Sequence, residues 1–164
     1  MDTDLGPWQV IETPGHAPSH VVLHQPERRL LISGDHVLGR VSHYYDYGYT
    51  PDPVAEFLGS LDAVDALDVR LSLPGHGRPF TDLAGHVEAN RALVRQRLHA
   101  VRAAAKPEPQ TAYEIAPRVY GDMFGPMTAQ WLMNKLLCYL THLEREGELE
   151  RLEPAGGPER WSAS

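Results

Sequence analysis

Three short stretches of the 164-residue chain set a ligand-type side chain just past a glycine: "TPGH" ending at His16, "SGD" ending at Asp35, and "LPGHG" around His76. In each, a strand-like apolar run reaches a glycine and a turn exposes the side chain that follows. Imidazole nitrogen and carboxylate oxygen are ordinary zinc ligands, and a carboxylate can bridge two ions with its two oxygens. Strand ends in layered α/β folds are where such groups converge. One Pro-Gly-His turn alone is a common polar turn. Three turns of one design make His16, Asp35 and His76 the candidate metal ligands.

Neighbouring residues have less specific readings. His20 lies four residues beyond His16 and is expected to bond to backbone or to support a ligand, because ligating histidines need such props. His36, beside Asp35, divides evenly between a supporting role and a place facing substrate. Tyr44 lies in "HVLGRVSHYYDYGY", an aromatic and polar segment after Asp35 where substrate contacts are expected. Packing accounts for most of its tyrosines, including Tyr45, Tyr47 and Tyr49. His24, His86, His99 and His142 fall on strand or helix patterns and read as structural or solvated. Cys138, the single cysteine, sits among leucines and reads as a buried thiol.

The elements that would position these residues follow from pattern and punctuation. "WQVIETPGH" is a strand entering a turn, and "VVLHQPERRLLISGD" is a hairpin ending at Asp35. Asp52-Pro53 suits a helix start, with Phe57, Leu58, Leu61 and Val64 at helical spacing through about Leu67. "VRLSLPGHG" is a strand delivering His76, and a helix over 83–105 follows. Alternating strands and helices to that point argue for an α/β unit. "KPEPQ" is a linker. Beyond it, Thr111 and Glu114 form a capping box, and Pro117 is expected to kink or end that helix early. A helix over 128–146 presents Leu132, Leu136, Leu140 and Leu143 inward and stops at Gly147. "ELERLEP", "AGG" and "ERWSA" read as a small hairpin, so helices plus hairpin suggest a winged helix.

Composition excludes several classes. The formal net charge is −7. It is spread as −4 over residues 1–105 and −3 over residues 106–164, so neither part is built to neutralise phosphates. The helix over 128–146 offers only Asn134, Lys135 and Arg145 as polar readers of bases, so no DNA binding is expected and RNA contacts would be few. No apolar run nears the roughly 20 residues needed to cross a bilayer. The acidic start "MDTDLGPW" is unlike a secretory signal, and one cysteine cannot form an internal disulfide, so a cytoplasmic setting is expected.

With these residues in view, residues 8–105 resemble the C-terminal half of the metallo-β-lactamase fold superfamily, particularly its glyoxalase-II-like hydrolase branch. "TPGHAPSHVVLH", "SGDHVL" and "LPGHG" resemble that family's third, fourth and fifth metal motifs. The resemblance implies an α/β (α+β) half of an αββα sandwich over 1–105 and a small winged-helix-like domain over 106–164. It implies two zinc ions: His16 on the first, His76 on the second, and Asp35 bridging both. The family's leading HxHxDH motif does not occur in the chain, so the resemblance implies a half-equipped site in a mis-started, truncated or split protein; the partners expected are a missing N-terminal half or a homo-oligomer. The activity implied is hydrolysis of a small-molecule thioester, ester, lactone or phosphodiester. A remnant that keeps the fold as an interaction module is the alternative.

Overall fold

The structure is a computed structural model describing residues 2–40, 43–153 and 156–164. Val41 and Ser42 of the aromatic segment, and Pro154 and Ala155 beside the expected C-terminal turn, lie outside the described residues. In chain order the elements are β1 (Asp2–Thr3), β2 (Gly6–Pro7), β3 (Gln9–Glu12), β4 (Val21–Gln25), β5 (Leu30–Gly34), α1 (Pro53–Asp65), β6 (Leu71–Pro74) and α2 (Leu83–Ala104). They continue with α3 (Ala112–Tyr120), a 3-10 turn (Gly121–Met123), α4 (Ala129–Arg145), β7 (Leu149–Leu152) and β8 (Arg160–Ala163). The chain divides into two compact units, Met1–Tyr44 with Ala55–Leu93, and Tyr45–Val54 with Val94–Ser164. The division falls inside α2, ahead of the 106–110 linker that the sequence offers as a border.

In the first unit β3, β4, β5 and β6 form one sheet in that order. The first two pairings are antiparallel and β5 with β6 is parallel, as an intervening helix requires. Alternation along the strands gives the sheet two unlike faces. Val22, His24, Leu31, Ser33 and Ser72 share one face and are buried. On the other face the register lines up Val10, Leu23, Ile32 and Leu73 across all four strands. This second row is apolar yet open, with Val10 58% and Ile32 38% exposed. Arg91 of α2 ties that helix to α1 through Asp62 at 2.7 Å and Asp65 at 2.9 Å.

The second unit begins its α3 with the expected reciprocal cap. Thr111 Oγ1 accepts from the Glu114 N–H, while the Glu114 carboxylate accepts from the Thr111 N–H at 2.7 Å. Pro117 does not end this helix early: α3 runs on to Tyr120. The missing proline N–H costs one bond, to the carbonyl of the exposed Tyr113, where water can substitute. Leu132 also departs from expectation. It is half-buried while Leu136, Leu140 and Leu143 are buried, because the first turn of α4 lies at the surface, with Trp131 48% exposed. The far end of α4 closes as expected. Gly147 has φ 75°, Glu148 N–H donates to Leu143 O and Gly147 N–H to Glu144 O, the paired bonds of a glycine stop. The strands β7 and β8 pair antiparallel, and Gln110 bridges to Trp161 beside them.

A pairing that local pattern does not reveal lies in this unit. His142 Nδ1 donates to the Asp52 carboxylate at 2.9 Å, with both side chains largely buried. The hydrogen bond donated to Asp52 raises the imidazole pKa, burial opposes it, and the charges of Asp52, Glu146 and Glu148 add to the rise. A raised histidine pKa contributes stability that is complete below the unfolded value of about 6.5 and is lost as pH climbs through the folded value. Thermal midpoints of the chain should therefore fall as pH is raised above that unfolded value. Asp52→Asn should flatten the slope. An unchanged slope in that variant would exclude the pair as its source.

Candidate metal centre

Three turns at the ends of β3, β5 and β6 bring His16, Asp35 and His76 together, as their shared design suggests. The Asp35 Oδ2 atom lies 3.9 Å from His16 Nε2 and 3.4 Å from His76 Nε2. Neither separation is a good hydrogen bond. Two donors on one tetrahedral ion, with bonds of about 2.0–2.2 Å, sit about 3.3–3.6 Å apart. The His76 spacing falls in that range and the His16 spacing lies just beyond it. Both imidazoles thus flank one carboxylate oxygen, His76 at ligand-to-ligand distance and His16 slightly farther off, and the donor types suit a borderline metal such as zinc. Among the described residues, no three His, Cys, Asp or Glu side chains stand closely enough to hold one ion together, so this trio by itself is not a complete single-ion site.

Each turn is held by bonds the sequence does not announce. Thr13 N–H donates to His20 O at 2.8 Å, closing the turn that carries His16, and Ser60 of α1 donates to Pro14 O at 2.8 Å. The β5–β6 register shifts between Ile32 and Gly34, and Gly34 has φ 52°, so the backbone turns sharply just before Asp35. Gly75 N–H donates to Gly34 O at 2.8 Å, fastening the His76 turn to the Asp35 turn. A Cβ on Gly75 would stand 2.3 Å from Asp35 Oδ1, so only glycine leaves the carboxylate its place. Thr13 and Gly75 were legible only as turn residues; their roles arise from contacts across turns.

The supporting residues sort by depth. The His20 ring stands 5.8 Å from that of His16 and takes Asp35 N–H on its Nε2 at 3.3 Å. Burial lowers its pKa, His16 adds to this, and Asp35 opposes it. His36 lies deeper, 1% exposed, edge-on to Phe57 at 4.9 Å and 6.0 Å from His20. Burial pushes its pKa down to about 4, with His20 assisting and the Ser60 backbone opposing. The ring packs on Phe57, and this location keeps it from solvent. The Tyr44 ring lies half-buried, 6.0 Å from His16, at the rim of the same cluster. His43, which pattern alone does not single out, is buried against Phe57, its Nε2 3.0 Å from Asn90 Oδ1.

A mixed sheet delivers two imidazoles and a carboxylate from the ends of β3, β5 and β6. Residues 2–76, which include all three, match the model of the metallo-beta-lactamase superfamily. The chain is 31% identical to a beta-lactamase domain protein from Burkholderia ambifaria and superposes with a TM-score of 0.85, covering 96% of this chain and 48% of that one. A metallo-beta-lactamase family protein from Thermus thermophilus is 30% identical, with a TM-score of 0.81 over 96% of this chain and 49% of its own. The Bacillus subtilis (strain 168) protein named probable metallo-hydrolase YqjP is 29% identical over 152 residues, 89% of this chain and 44% of its own length. Family model, curated relatives and solved structures thus agree on what the chain is similar to, the metallo-beta-lactamase superfamily, and the architecture is similar to that fold. The chain spans about half the length of these relatives. Among the described residues no helix is long and apolar enough to cross a membrane.

Proposed function

We propose that the chain contributes one side of a two-zinc hydrolase centre, with His16 on one ion, His76 on the other and Asp35 shared between them. The observation that carries this reading is the single Asp35 oxygen flanked by both imidazole Nε2 atoms. Bound there, two ions would polarise a carbonyl or phosphoryl group and acidify a water. The chain's own part is placement: its turns hold the donors apart, and the Asp35 carboxylate balances charge between the imidazoles. Each ion would draw two protein donors from this chain, fewer than the usual three of a catalytic site. Further donors belong to the additional length that the relatives possess, or to a second copy. The open row of Val10, Leu23, Ile32 and Leu73 is where such a partner would pack.

The substrate class we assign is a small thioester, ester, lactone or phosphodiester, in keeping with a glyoxalase-II-like site in the cytoplasm. Tyr44 at the rim would face it. The C-terminal elements, two helices and a hairpin, we read as winged-helix-like support without duplex DNA affinity. Its net acidity from residue 106 onward supports that assignment. The test measures zinc by elemental analysis and hydrolysis on a panel of these four ester types. The 164-residue chain is compared with one extended upstream through an HxHxDH segment. The short chain should hold zinc poorly and turn over little, and the extended chain should hold two ions and be active. Equal zinc content and turnover in both would refute the division of ligands.

A further inference from the structure

We infer that His20 is a positioning residue that sets the distance between the two ligand-bearing turns, acting as an Nδ1–H tautomer through its Nε2 lone pair. The inference rests on the metal reading of His16 and Asp35 and adds what holds them in register. Its basis is a bond pattern with one consistent solution. The Asp35 backbone N–H can only donate, and it points at His20 Nε2 at 3.3 Å, so that nitrogen accepts. The proton of a neutral ring then sits on Nδ1, which lies 2.8 Å from Thr13 Oγ1 and donates to it. Thr13 is fully buried and begins the turn that carries His16, while Asp35 begins the turn after β5. One imidazole therefore bridges both turns.

The surroundings are cut to this ring. A Cβ on Gly34 would stand 2.7 Å from His20 Nε2 and 3.2 Å from its Cε1, so glycine at position 34 serves the ring as well as its own φ of 52°. His20 N–H donates to Ala17 O at 3.1 Å and its carbonyl accepts from Thr13 N–H, so the backbone under the ring is fixed as well. A lengthened or lost Asp35 link would let the aspartate turn drift from His16 and widen the 3.9 Å gap between carboxylate and imidazole.

Two substitutions separate this role from simple turn closure. In His20→Gln the side-chain Oε1 reaches the Nε2 position and can accept from Asp35 N–H, but nothing donates to Thr13. In His20→Asn the side-chain amide lies near the Nδ1 position and can serve Thr13, but nothing reaches Asp35. The 164-residue chain and its variants are titrated with zinc, and amide exchange at Asp35 is followed by NMR without metal. The expected result is a loss of about 10–100-fold in zinc affinity for His20→Asn, the usual cost of removing a ligand's support. His20→Gln should retain affinity within about threefold of the parent, on the same reasoning that the supporting bond is kept. Without metal, Asp35 N–H should exchange faster in Asn than in Gln. The reverse order, Asn better than Gln, would overturn the inference in favour of turn closure, and an Nε2–H tautomer in the metal-free chain would overturn it directly. His16→Ala serves as the separate check. If it leaves zinc binding unchanged, the metal reading itself fails; if it abolishes binding while both His20 variants bind normally, only the positioning role fails.

Discussion

Replacing Asp35 by alanine should empty the centre and cut hydrolysis by about a thousandfold or more, since several kcal/mol of charge stabilisation depend on the ions it would share. Both imidazoles approach the same Asp35 oxygen, so one truncation removes a donor from each ion at once. Alanine at His16 or His76 should remove one ion and weaken the other. Asp35 is only half-buried and its side chain fills no core, so the thermal midpoint of the metal-free variant should match that of the parent. That pairing of results, lost metal with an intact fold, identifies the aspartate as a ligand. Retention of two equivalents of zinc in Asp35→Ala, measured in the extended chain, would contradict the shared-ligand geometry.

Gly15→Ala should be the most destabilising single methyl in the first unit. Gly15 has φ 120°, a conformation L side chains rarely adopt, and an added Cβ would lie 2.5 Å from both N and Cα of Phe57. Backbone of α1 cannot retreat without breaking the Ser60 hydroxyl bond to Pro14 O and unseating buried Phe57. Strain and steric overlap together should cost about 3 kcal/mol or more. For a chain of this size that corresponds to a fall in midpoint of roughly 6–12 °C. The methyl sits one residue before His16, so zinc affinity should fall with stability. A midpoint within about 2 °C of the parent, against the scale expected for such strain, would show that the turn and helix can separate cheaply.

What the sequence made legible was mostly local. The Thr111–Glu114 cap, the Gly147 stop and the hairpin ending at Asp35 depend on residues a few positions apart, and each formed as expected. The convergence of His16, Asp35 and His76 was legible because three separated turns repeat one local design. Pro117 did not stop its helix, because the carbonyl it orphans belongs to an exposed residue, although helix interiors disfavour proline on average. Leu132 misled because spacing fixes which side of a helix a residue takes but not how far along the helix its cover extends. The His142–Asp52 pair joins residues 90 apart, and the His20–Asp35 link joins two turns 15 apart. Such bonds exist only once separate elements have packed, so local pattern does not reveal them.

The open face of the sheet changes how substitutions in this chain ought to be scored. Val10, Leu23, Ile32 and Leu73 lie in a row that water reaches in the present structure. Judged on folding of the 164 residues alone, threonine or lysine at Val10 or Ile32 should be tolerated, since little buried apolar area is lost. Judged on activity of an assembled enzyme, the same changes should be penalised wherever a partner surface rests on them. A saturation library read out twice, once for soluble expression and once for hydrolysis, would therefore show whether a partner surface rests on this face. Positions neutral in the first readout and intolerant in the second would trace the footprint without any structure of the assembly.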